Sequence, residues 1–437
     1  MARGRTPEQA AKATFRDVFA VAEFRALWLA QLLSIVGDQL ARVALTVLVF
    51  DRTRSALLAA VTFVVSIVPA FVGGITLAWL ADRYPRRTVM IVCDLARCAL
   101  VLIMVIPGMP LAGMVALLFV VTLTGAPFLS ARAAVYTDVF DGERYVLGTA
   151  ITLTTLQFAQ VLGFTVGGAS VGFLGARASL VIDAATFATS ALLVRGWVRS
   201  RPAPPASPRT GLRQVKLAGL AAVVTGSRLV FGSQVLRTTM LFGWLAAFYD
   251  APEGVAAPLA QTLGGGAIVV GVILAAQALG QASGVIVFSR LVSPPARLRY
   301  LGPLAVATCA VLVLFAWRPS LLPSLLILFV SGLCASYQLA ANAAFVGGTP
   351  PERRSQAFGL AQGGMSLGQG MVMILAGAAA DQHSPALVIA VCGATGAALA
   401  VVLTLSWLRD HGRPRARHKR VLTAQVHCSP CMACSFE

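Results

Sequence analysis

Long apolar runs separated by short polar segments dominate the hydropathy pattern of this chain. Each run is close to the length of about 20 residues that an α-helix needs to cross the hydrocarbon core of a bilayer. Twelve such runs are present, at residues 27–50, 56–81, 88–106, 111–134, 147–172, 178–197, 235–259, 264–289, 300–317, 321–346, 356–380 and 385–407. The pattern therefore predicts an all-α membrane protein with twelve transmembrane helices.

Charged residues are too few for a soluble protein of this length. Among the 437 residues, 57% are hydrophobic and only 12% are charged, whereas soluble domains carry about 25% charged residues. The first 24 residues are polar and basic, and the apolar run that follows is too long for the core of a cleavable signal peptide. We therefore expect an integral membrane protein whose first apolar run is retained as a helix.

Basic residues alternate between the two sides of the predicted helices. One set lies at the chain ends and in every second connection, namely Arg3, Arg5, Lys12, Arg16, Arg25, Arg83, Arg86, Arg87, Arg144, the bases within 195–216, Arg290, Arg297, Arg299, Arg353, Arg354 and the bases within 409–420. The opposite connections hold only Arg52, Arg54, Arg177 and Arg318. The positive-inside rule therefore predicts that both termini are cytoplasmic. The net charge of +18 reflects this topology and attraction to anionic lipids, and it does not indicate a nucleic-acid partner.

Two segments half the chain apart share one pattern. Residues 131–144 and 341–354 each end a predicted helix with Ala-x-Ala-Ala, cross a short polar turn and present Glu-Arg before the next helix. A repeat of six helices is typical of transporters built from two related bundles. The predicted organisation is a cytoplasmic tail at 1–26, a six-helix bundle at 27–198, a cytoplasmic linker at 199–234, a second bundle at 235–407 and a basic, Cys-containing cytoplasmic tail at 408–437.

The linker has two parts. Residues 201–209 are rich in proline and cannot bury apolar surface. Residues 212–231 are mildly apolar and contain three basic residues, which predicts a segment lying at the membrane interface. The alternative is that this segment extends the seventh helix.

A short polar segment separates the second and third predicted helices. It reads Ala78-Trp-Leu-Ala-Asp-Arg-Tyr-Pro-Arg-Arg87. Its spacing resembles the loop between helices 2 and 3 of the major facilitator superfamily, with Ala78 and Pro85 in place of two usual glycines. Residues 34–38, this loop and the stretch around Arg132 are similar to the branch of enterobactin exporters and macrolide-efflux proteins. The resemblance implies two pseudo-symmetric six-helix bundles and secondary active transport.

Several kinds of chemistry are excluded by what the chain lacks. No Gly-x4-Gly-Lys-Ser/Thr motif is present, so the chain has no phosphate-binding loop of the type used by ATP-driven pumps. No His pair or Glu-x-x-His motif indicates a metalloenzyme. The cysteines of 427–434 have a spacing that would suit a soft metal, but an unstructured tail is the favoured interpretation. We expect no enzymatic activity, no catalytic residue, no metal and no cofactor.

Ionisable residues within apolar runs are functional candidates, because each is costly inside a bilayer unless it is paired or hydrated. Asp38 lies near the middle of the first predicted helix, and Arg42 is four residues on and therefore on the same face. The two residues form either an internal ion pair that lines a cavity or a proton-carrying site. Asp183, in the sixth run, is more isolated, and we expect it to hydrogen-bond within its bundle.

Two more acids flank a helix-breaking sequence in the seventh run. Asp250 and Glu253 lie beside Pro252 and Gly254, and broken helices are where transporters bind ions and substrates. The seventh helix is the repeat partner of the first, so Asp250 is predicted to face Asp38 across a cavity. The alternative is that the helix ends here and both acids meet extracellular water.

A second charged group is predicted to act as a gate. Its members lie in the short polar segment and in the third and fourth helices, namely Asp82, Arg83, Arg86, Arg87, Asp94, Arg97 and Arg132. We expect them to hold the two bundles together on the cytoplasmic side and to release them when the protein opens inward. The resemblance adds that Arg132 lies where the family often has an arginine tied to proton coupling. The alternative is that these residues anchor lipid head groups.

A substrate pocket is also predicted, lined by the aromatic residues Phe158, Phe164, Trp244, Phe248 and Tyr249. Packing or lipid contact is the alternative for each ring.

The predicted function is proton-coupled efflux of an amphipathic small molecule, such as a drug, antibiotic, siderophore or secondary metabolite. A chain with few buried charges suits lipophilic cargo better than sugars or anions, which need polar groups to replace their hydration. The alternatives are an ion-coupled importer of a small metabolite and a non-transporting membrane scaffold or sensor. The expected partners are the substrate, protons or another coupling ion, and membrane lipids. We expect a monomer in a bacterial inner membrane, since arginine and alanine are abundant and lysine is rare.

Overall fold

The computed structural model describes residues 14–77, 79–202, 226–350 and 353–411. Over these ranges the chain is helical and contains no β-strand. The first half comprises α1 (Phe15–Phe19), α2 (Ala22–Thr53), α3 (Ala56–Val65), α4 (Val68–Thr76), α5 (Leu80–Arg83), α6 (Arg86–Met104), α7 (Leu111–Val139) and α8 (Gly142–Trp197). Gly175 divides α8 into two spans, because its φ of 84° and ψ of 164° are accessible to glycine alone without strain.

The second half comprises α9 (226–232), α10 (Gln234–Trp244), α11 (Ala246–Tyr249), α12 (Ala251–Gly254), α13 (Ala256–Thr262), α14 (Ala267–Leu291), α15 (Pro294–Ala310), α16 (Leu321–Cys334), α17 (Tyr337–Gly348), α18 (Arg354–Ala380) and α19 (Pro385–His411). A 3-10 segment, Val311–Trp317, continues α15. The all-α class that the hydropathy pattern predicts is confirmed.

Several predicted helices are broken rather than continuous. The second, predicted at 56–81, consists of α3, α4 and α5; Pro69 lies at the start of α4, where its missing N–H costs no helical hydrogen bond. The seventh, predicted at 235–259, consists of α10 to α13. Within the described ranges, nine helical stretches are long and apolar enough to cross a membrane. If the two spans of α8 are counted separately and α6 and the broken α10–α13 are added, these stretches are consistent with the predicted twelve.

Parts of the predicted organisation lie outside the described residues. These are the tail at 1–13, most of the linker (203–225) and the tail at 412–437 with its cysteines. The end of the predicted interfacial segment falls within α9, which is helical at 226–232.

The helices run back and forth between two ends of the bundle. We call the end that holds the α2–α3 and α18–α19 turns the far side, and the end that holds the α5–α6 and α7–α8 turns the near side. The positive-inside rule predicts that the near side is cytoplasmic.

Close approaches between the two halves concentrate toward the far side. The backbones of α8 and α14 touch there, and a Cβ built on Gly168 would lie 2.7 Å from the Gly271 Cα. On α18, a Cβ on Gly377 would lie 2.6 Å from the Ala60 Cβ of α3. Small residues let helices in a membrane approach this closely. The two halves are therefore packed against each other at the far side.

A carboxylate strengthens this far-side contact. Asp381, which follows α18, accepts hydrogen bonds from the Ser55 hydroxyl (3.0 Å) and from the backbone N–H of Ala56 (2.5 Å). Because the first N–H groups of a helix have no partner within the helix, an acid from the other half caps α3. Nearer the middle of the bundle, the ring of Phe71 packs against Gly363.

Candidate functional site

The first half encloses a cavity of about 230 Å³ that we call the N-half cavity. Most of its lining is apolar. Its polar lining residues come from α2, α6, α7, α8 and the α3–α4 break, namely Gln31, Ser34, Asp38, Arg42, Ser66, Arg97, Thr122 and Asp183. The structure thus brings the predicted pair Asp38–Arg42 to one cavity, together with Arg97 from the predicted gate.

Arg97 is the centre of this polar group. Its Nη2 lies 2.5 Å from Asp94 Oδ1, and its Nη1 lies 3.9 Å from Asp38 Oδ2. The Ser34 hydroxyl accepts from Nη1 at 3.3 Å, and the guanidinium carbon lies 4.3 Å from the centroid of the Phe187 ring. Arg97 therefore ties α6 to α2 and α8 through one buried side chain.

Asp94 and Asp38 differ in how firmly they are held. Asp94 is fully buried and also accepts from the Ser190 hydroxyl at 2.6 Å. Among the described residues, the only ion pair of Asp38 is the long one with Arg97, and 41% of its side chain is exposed. Asp94 is therefore a fixed counter-ion, whereas Asp38 is open to the N-half cavity.

Arg42 lies where the two halves meet. Its Nη2 donates to the Ser66 carbonyl at 3.3 Å, and its guanidinium lies 5.2 Å from the centroid of the Phe63 ring. Two carboxylates act on it electrostatically, Asp38 from its own helix and Glu253 from the second half. Arg42 thus interacts electrostatically with a candidate site residue from each half, Asp38 and Glu253.

Asp250 is enclosed by glutamines that sequence reasoning missed. Its Oδ1 accepts from Gln277 at 2.8 Å and from Gln281 at 3.3 Å, and its Oδ2 accepts from Gln369 at 2.7 Å. The seventh helix continues through α13 beyond this point, and Asp250 is only 7% exposed. The alternative in which the helix ends and Asp250 meets water is therefore excluded. The i, i+4 spacing of Gln277 and Gln281 within an apolar run was the available signal.

The second half has its own cavity, of about 370 Å³, which we call the C-half cavity. None of the described residues that line it is charged. Its lining includes three aromatic and three amide side chains, Trp244, Phe345, Phe358, Gln338, Asn342 and Gln362. The Trp244 Nε1 donates to the Ala361 carbonyl at 3.0 Å, which fixes the indole ring. This cavity offers aromatic faces and neutral hydrogen-bonding groups.

The five aromatics predicted to share a pocket are not brought together, which corrects that prediction. Trp244 lines the C-half cavity, whereas Phe248 lines a separate groove between α18 and α19. Phe164 and Tyr249 are buried in the core, and Phe158 is 47% exposed. Helical position alone does not tell which way a ring points, so the sequence could not separate these cases.

The predicted gate is likewise divided. Arg86 forms an ion pair with Asp138 of α7, and Arg87 donates to the backbone carbonyl of Arg195 in α8. Both contacts lie within the first half. Arg83 is exposed, the side chain of Asp82 lies outside the described structure, and Asp94 and Arg97 belong to the N-half cavity.

Arg132 is buried against Tyr136. Its guanidinium carbon lies 5.6 Å from the Tyr136 ring centroid, and the side chain is 8% exposed. Its Nε and Nη1 have no hydrogen-bond partner among the described residues. Arg132 thus stands apart from the Arg86–Asp138 pair.

Arg97→Met is expected to lower the free energy of unfolding by about 3–5 kcal/mol, because it leaves Asp94 as an unpaired buried charge. The double variant Asp94→Leu/Arg97→Met removes both charges and should recover much of that loss. Thermal unfolding of the purified protein in detergent would measure both effects. Arg290→Met, at an exposed arginine, is the control; equal losses at the two arginines would contradict the buried pair.

The chain matches a known protein family in sequence and many solved structures in fold. The sequence profile described as Major Facilitator Superfamily matches residues 27–252 and 250–433. A search of curated proteins returns no match. Many solved structures share the fold, at identities of 11–16% for the transporters that follow. At such low identity, the likeness shows the fold alone.

Three of these structures are of different kinds of transporter. A POT family transporter in complex with 5-aminolevulinic acid has a TM-score of 0.71 and 11% identity, covering 90% of this chain and 97% of its own. A bacterial homologue of the human lysosomal transporter Spinster, inward-facing and unoccupied, has a TM-score of 0.65 and 14% identity, covering 91% and 99%. The nucleoside transporter NupG has a TM-score of 0.65 and 16% identity, covering 87% and 98%.

Proposed function

The chain belongs to the Major Facilitator Superfamily and is a multi-pass membrane transporter, and from that membership we propose that it exports an amphipathic small molecule in exchange for protons. The bundles 27–198 and 235–407 would be the two units that rock about the cavities between them. We place the protein in a bacterial inner membrane with both termini cytoplasmic, acting as a monomer.

The observation that carries the coupling proposal is the exposure of Asp38. It is an acid in a membrane helix, open to a cavity and only 3.9 Å from Arg97. Arg97 keeps its short contact with Asp94 whether or not Asp38 carries a proton. Asp38 can therefore gain and lose a proton without breaking the buried pair that holds α6 to α8. An acid that changes charge inside a bundle is how a proton gradient acts on a transporter.

The packing of the halves supports a state that loads cargo from the cytoplasm. The far side is closed by the Gly168–Gly271 contact and by Asp381. With the predicted topology, such a state opens inward. In the opposite state the near side must close, and the polar segment around Asp82 would then meet the second half as a gate.

The C-half cavity supports amphipathic cargo. Trp244, Phe345 and Phe358 offer aromatic surface, and planar apolar groups stack well on such rings. The resemblance to enterobactin exporters and macrolide-efflux proteins points the same way, to a drug, antibiotic, siderophore or secondary metabolite.

One observation favours a second candidate, proton-coupled import. Gln338, Asn342 and Gln362 place three amides at the C-half cavity, and amides suit cargo rich in hydrogen-bonding groups. Peptide and nucleoside transporters are among the structures with this fold.

The direction of coupling tests the proposal. The purified full-length protein is reconstituted into liposomes, a pH gradient is imposed, and uptake of a lipophilic dye such as ethidium is followed. An antiporter drives its cargo toward the acidic compartment in either orientation of the protein, whereas a symporter drives it away. We expect faster uptake when the lumen is acidic, and no such effect with nigericin or without protein. Uptake of labelled peptides or nucleosides only when the exterior is acidic would replace export by import.

A further inference from the structure

Asp183 is a deeply buried acid to which the proposed cycle gives no role. It lies in the second span of α8, is 1% exposed, and lines the N-half cavity. Neither of its carboxylate oxygens has a hydrogen-bond partner within the described structure. An ionised carboxylate with no donor is costly to bury in a membrane protein.

The neighbouring groups suit a protonated acid better than a charged one. Gly37 on α2 packs so closely that a Cβ there would overlap both Asp183 Oδ1 and Thr186 Oγ1. The Thr186 hydroxyl already donates its hydrogen to the Asp183 carbonyl at 2.7 Å. Its oxygen is therefore left as an acceptor beside the carboxyl group, and a protonated Asp183 can donate to it.

Charge counting leads to the same conclusion. Asp38 of α2 and Arg97 and Cys98 of α6 act electrostatically with Asp183. Arg42 and Asp94 act in turn on Asp38. The guanidinium groups of Arg42 and Arg97 balance two carboxylates, and Arg42 is also drawn to Glu253 of the second half. A third ionised carboxylate would leave the group with a net negative charge inside the membrane.

The cavity also connects Asp183 to Asp38. Asp38 follows Gly37 directly, and both acids line the same cavity of about 230 Å³, which has room for water. Arg97 acts electrostatically on both. Gln31, also lining this cavity, is 4% exposed, and neither of its amide atoms has a hydrogen-bond partner among the residues that the structure describes. The amide can donate to a carboxylate at one stage and accept from a carboxylic acid at another.

We propose that Asp183 is a second proton-carrying residue, which holds a proton in this far-side-closed state and exchanges it with Asp38. The proton leaves the Asp183 carboxyl oxygen, directly or through one water, and binds an Asp38 oxygen. Asp183 becomes the carboxylate, Asp38 becomes the acid, and the total charge near Arg97 does not change. This inference rests on the proposed proton coupling. It adds a second proton-binding site, away from the open face of the cavity.

Infrared spectroscopy of the full-length protein in lipid tests the protonation. The wild type at neutral pH should show the carbonyl stretch of a buried carboxylic acid, shifted in D2O. Asp183→Asn should lose that band, and Asp51→Asn, at an exposed acid of α2, should keep it. Because asparagine resembles the protonated acid, Asp183→Asn should melt no lower than the wild type. A band unchanged in Asp183→Asn would overturn the proposal, and so would a loss of stability typical of a broken ion pair.

Transport separates this inference from the proposed function. In the liposome assay, Asp183→Asn should lose gradient-driven dye uptake, and Asp183→Glu should restore part of it. Full gradient-driven uptake by Asp183→Asn would overturn the role of Asp183 while leaving proton-coupled export in place. If dye uptake by the wild type does not respond to the pH gradient, the proposed function itself is overturned, whatever the infrared result.

Discussion

Gly168→Leu is expected to stop transport by preventing the far side from closing. Gly168 on α8 and Gly271 on α14 meet backbone to backbone, and even a Cβ at Gly168 would lie 2.7 Å from the Gly271 Cα and 2.9 Å from the Ala267 carbonyl oxygen. Backbone atoms cannot turn aside as a flexible side chain can. The leucine therefore forces α8 and α14 apart, and the population shifts to states in which the far side is open.

Distances between spin labels would measure this shift. In a cysteine-free background, labels at Leu58 of α3 and Leu387 of α19 are exposed and lie near the far side of opposite halves. The distance distribution should move to larger values in Gly168→Leu, and gradient-driven dye uptake should fall to the level of protein-free liposomes.

Gly196→Leu is the matched control, because Gly196 lies on the same helix and its Cβ would meet nothing within 4 Å. This control should leave both the distances and the dye uptake unchanged. Equal distances in Gly168→Leu and the wild type would show that the glycine contact does not hold the far side closed.

The sequence predicted the elements of the fold well because membrane spans are set by a local property. A run of apolar residues of bilayer length must form a helix, since the lipid offers no partner for the backbone. The break beside Pro252 and Gly254 was predictable because proline and glycine weaken a helix locally. The separate helices α10 to α13 confirm it. The turn that divides α8 coincides with Gly175, between two predicted spans.

Side-chain partners were much harder to predict, because they depend on which helix faces come together. Arg86 was predicted in an inter-bundle gate, yet it pairs with Asp138 within its own half. Asp94 and Arg97 were assigned to the same gate, but a side chain two to three turns into a helix reaches the bundle interior. The importance of Asp183 was harder to predict, because nothing in the local sequence reveals that Gly37 of α2 packs against its carboxyl group and the Thr186 hydroxyl.

The two halves use acids in different ways although they repeat the same architecture. Three glutamines from α14 and α18 fix the carboxylate of Asp250 on both oxygens. Asp38, on the helix that is the predicted repeat partner of the seventh, has one long ion-pair contact and an open face. A carboxylate with three donors is held in place, whereas one with a single loose partner is free to change its protonation. Under the proposed proton-coupled export, this asymmetry would place proton exchange in the first half and cargo in the C-half cavity, whose described lining residues are uncharged.

Asp38→Asn is expected to abolish gradient-driven transport without unfolding the protein. Asparagine has nearly the shape of aspartate but does not exchange a proton. The pH gradient can therefore no longer act on the protonation of residue 38. Arg97 keeps its contacts with Asp94 and Ser34, and the buried pair therefore survives. We expect the two halves to rock with a neutral side chain at position 38, so dye should still equilibrate down its own concentration gradient.

Two assays on the same proteoliposomes separate coupling from movement. In the first, an acidic lumen should accelerate dye uptake by the wild type and by Asp51→Asn, the same chemical change at an exposed position of the same helix, but not by Asp38→Asn. In the second, with no pH gradient, exchange of dye across the membrane should be similar for all three proteins. If Asp38→Asn still responds to the gradient, the coupling lies at another acid. If it also loses exchange, Asp38 acts on movement or cargo binding rather than on the proton.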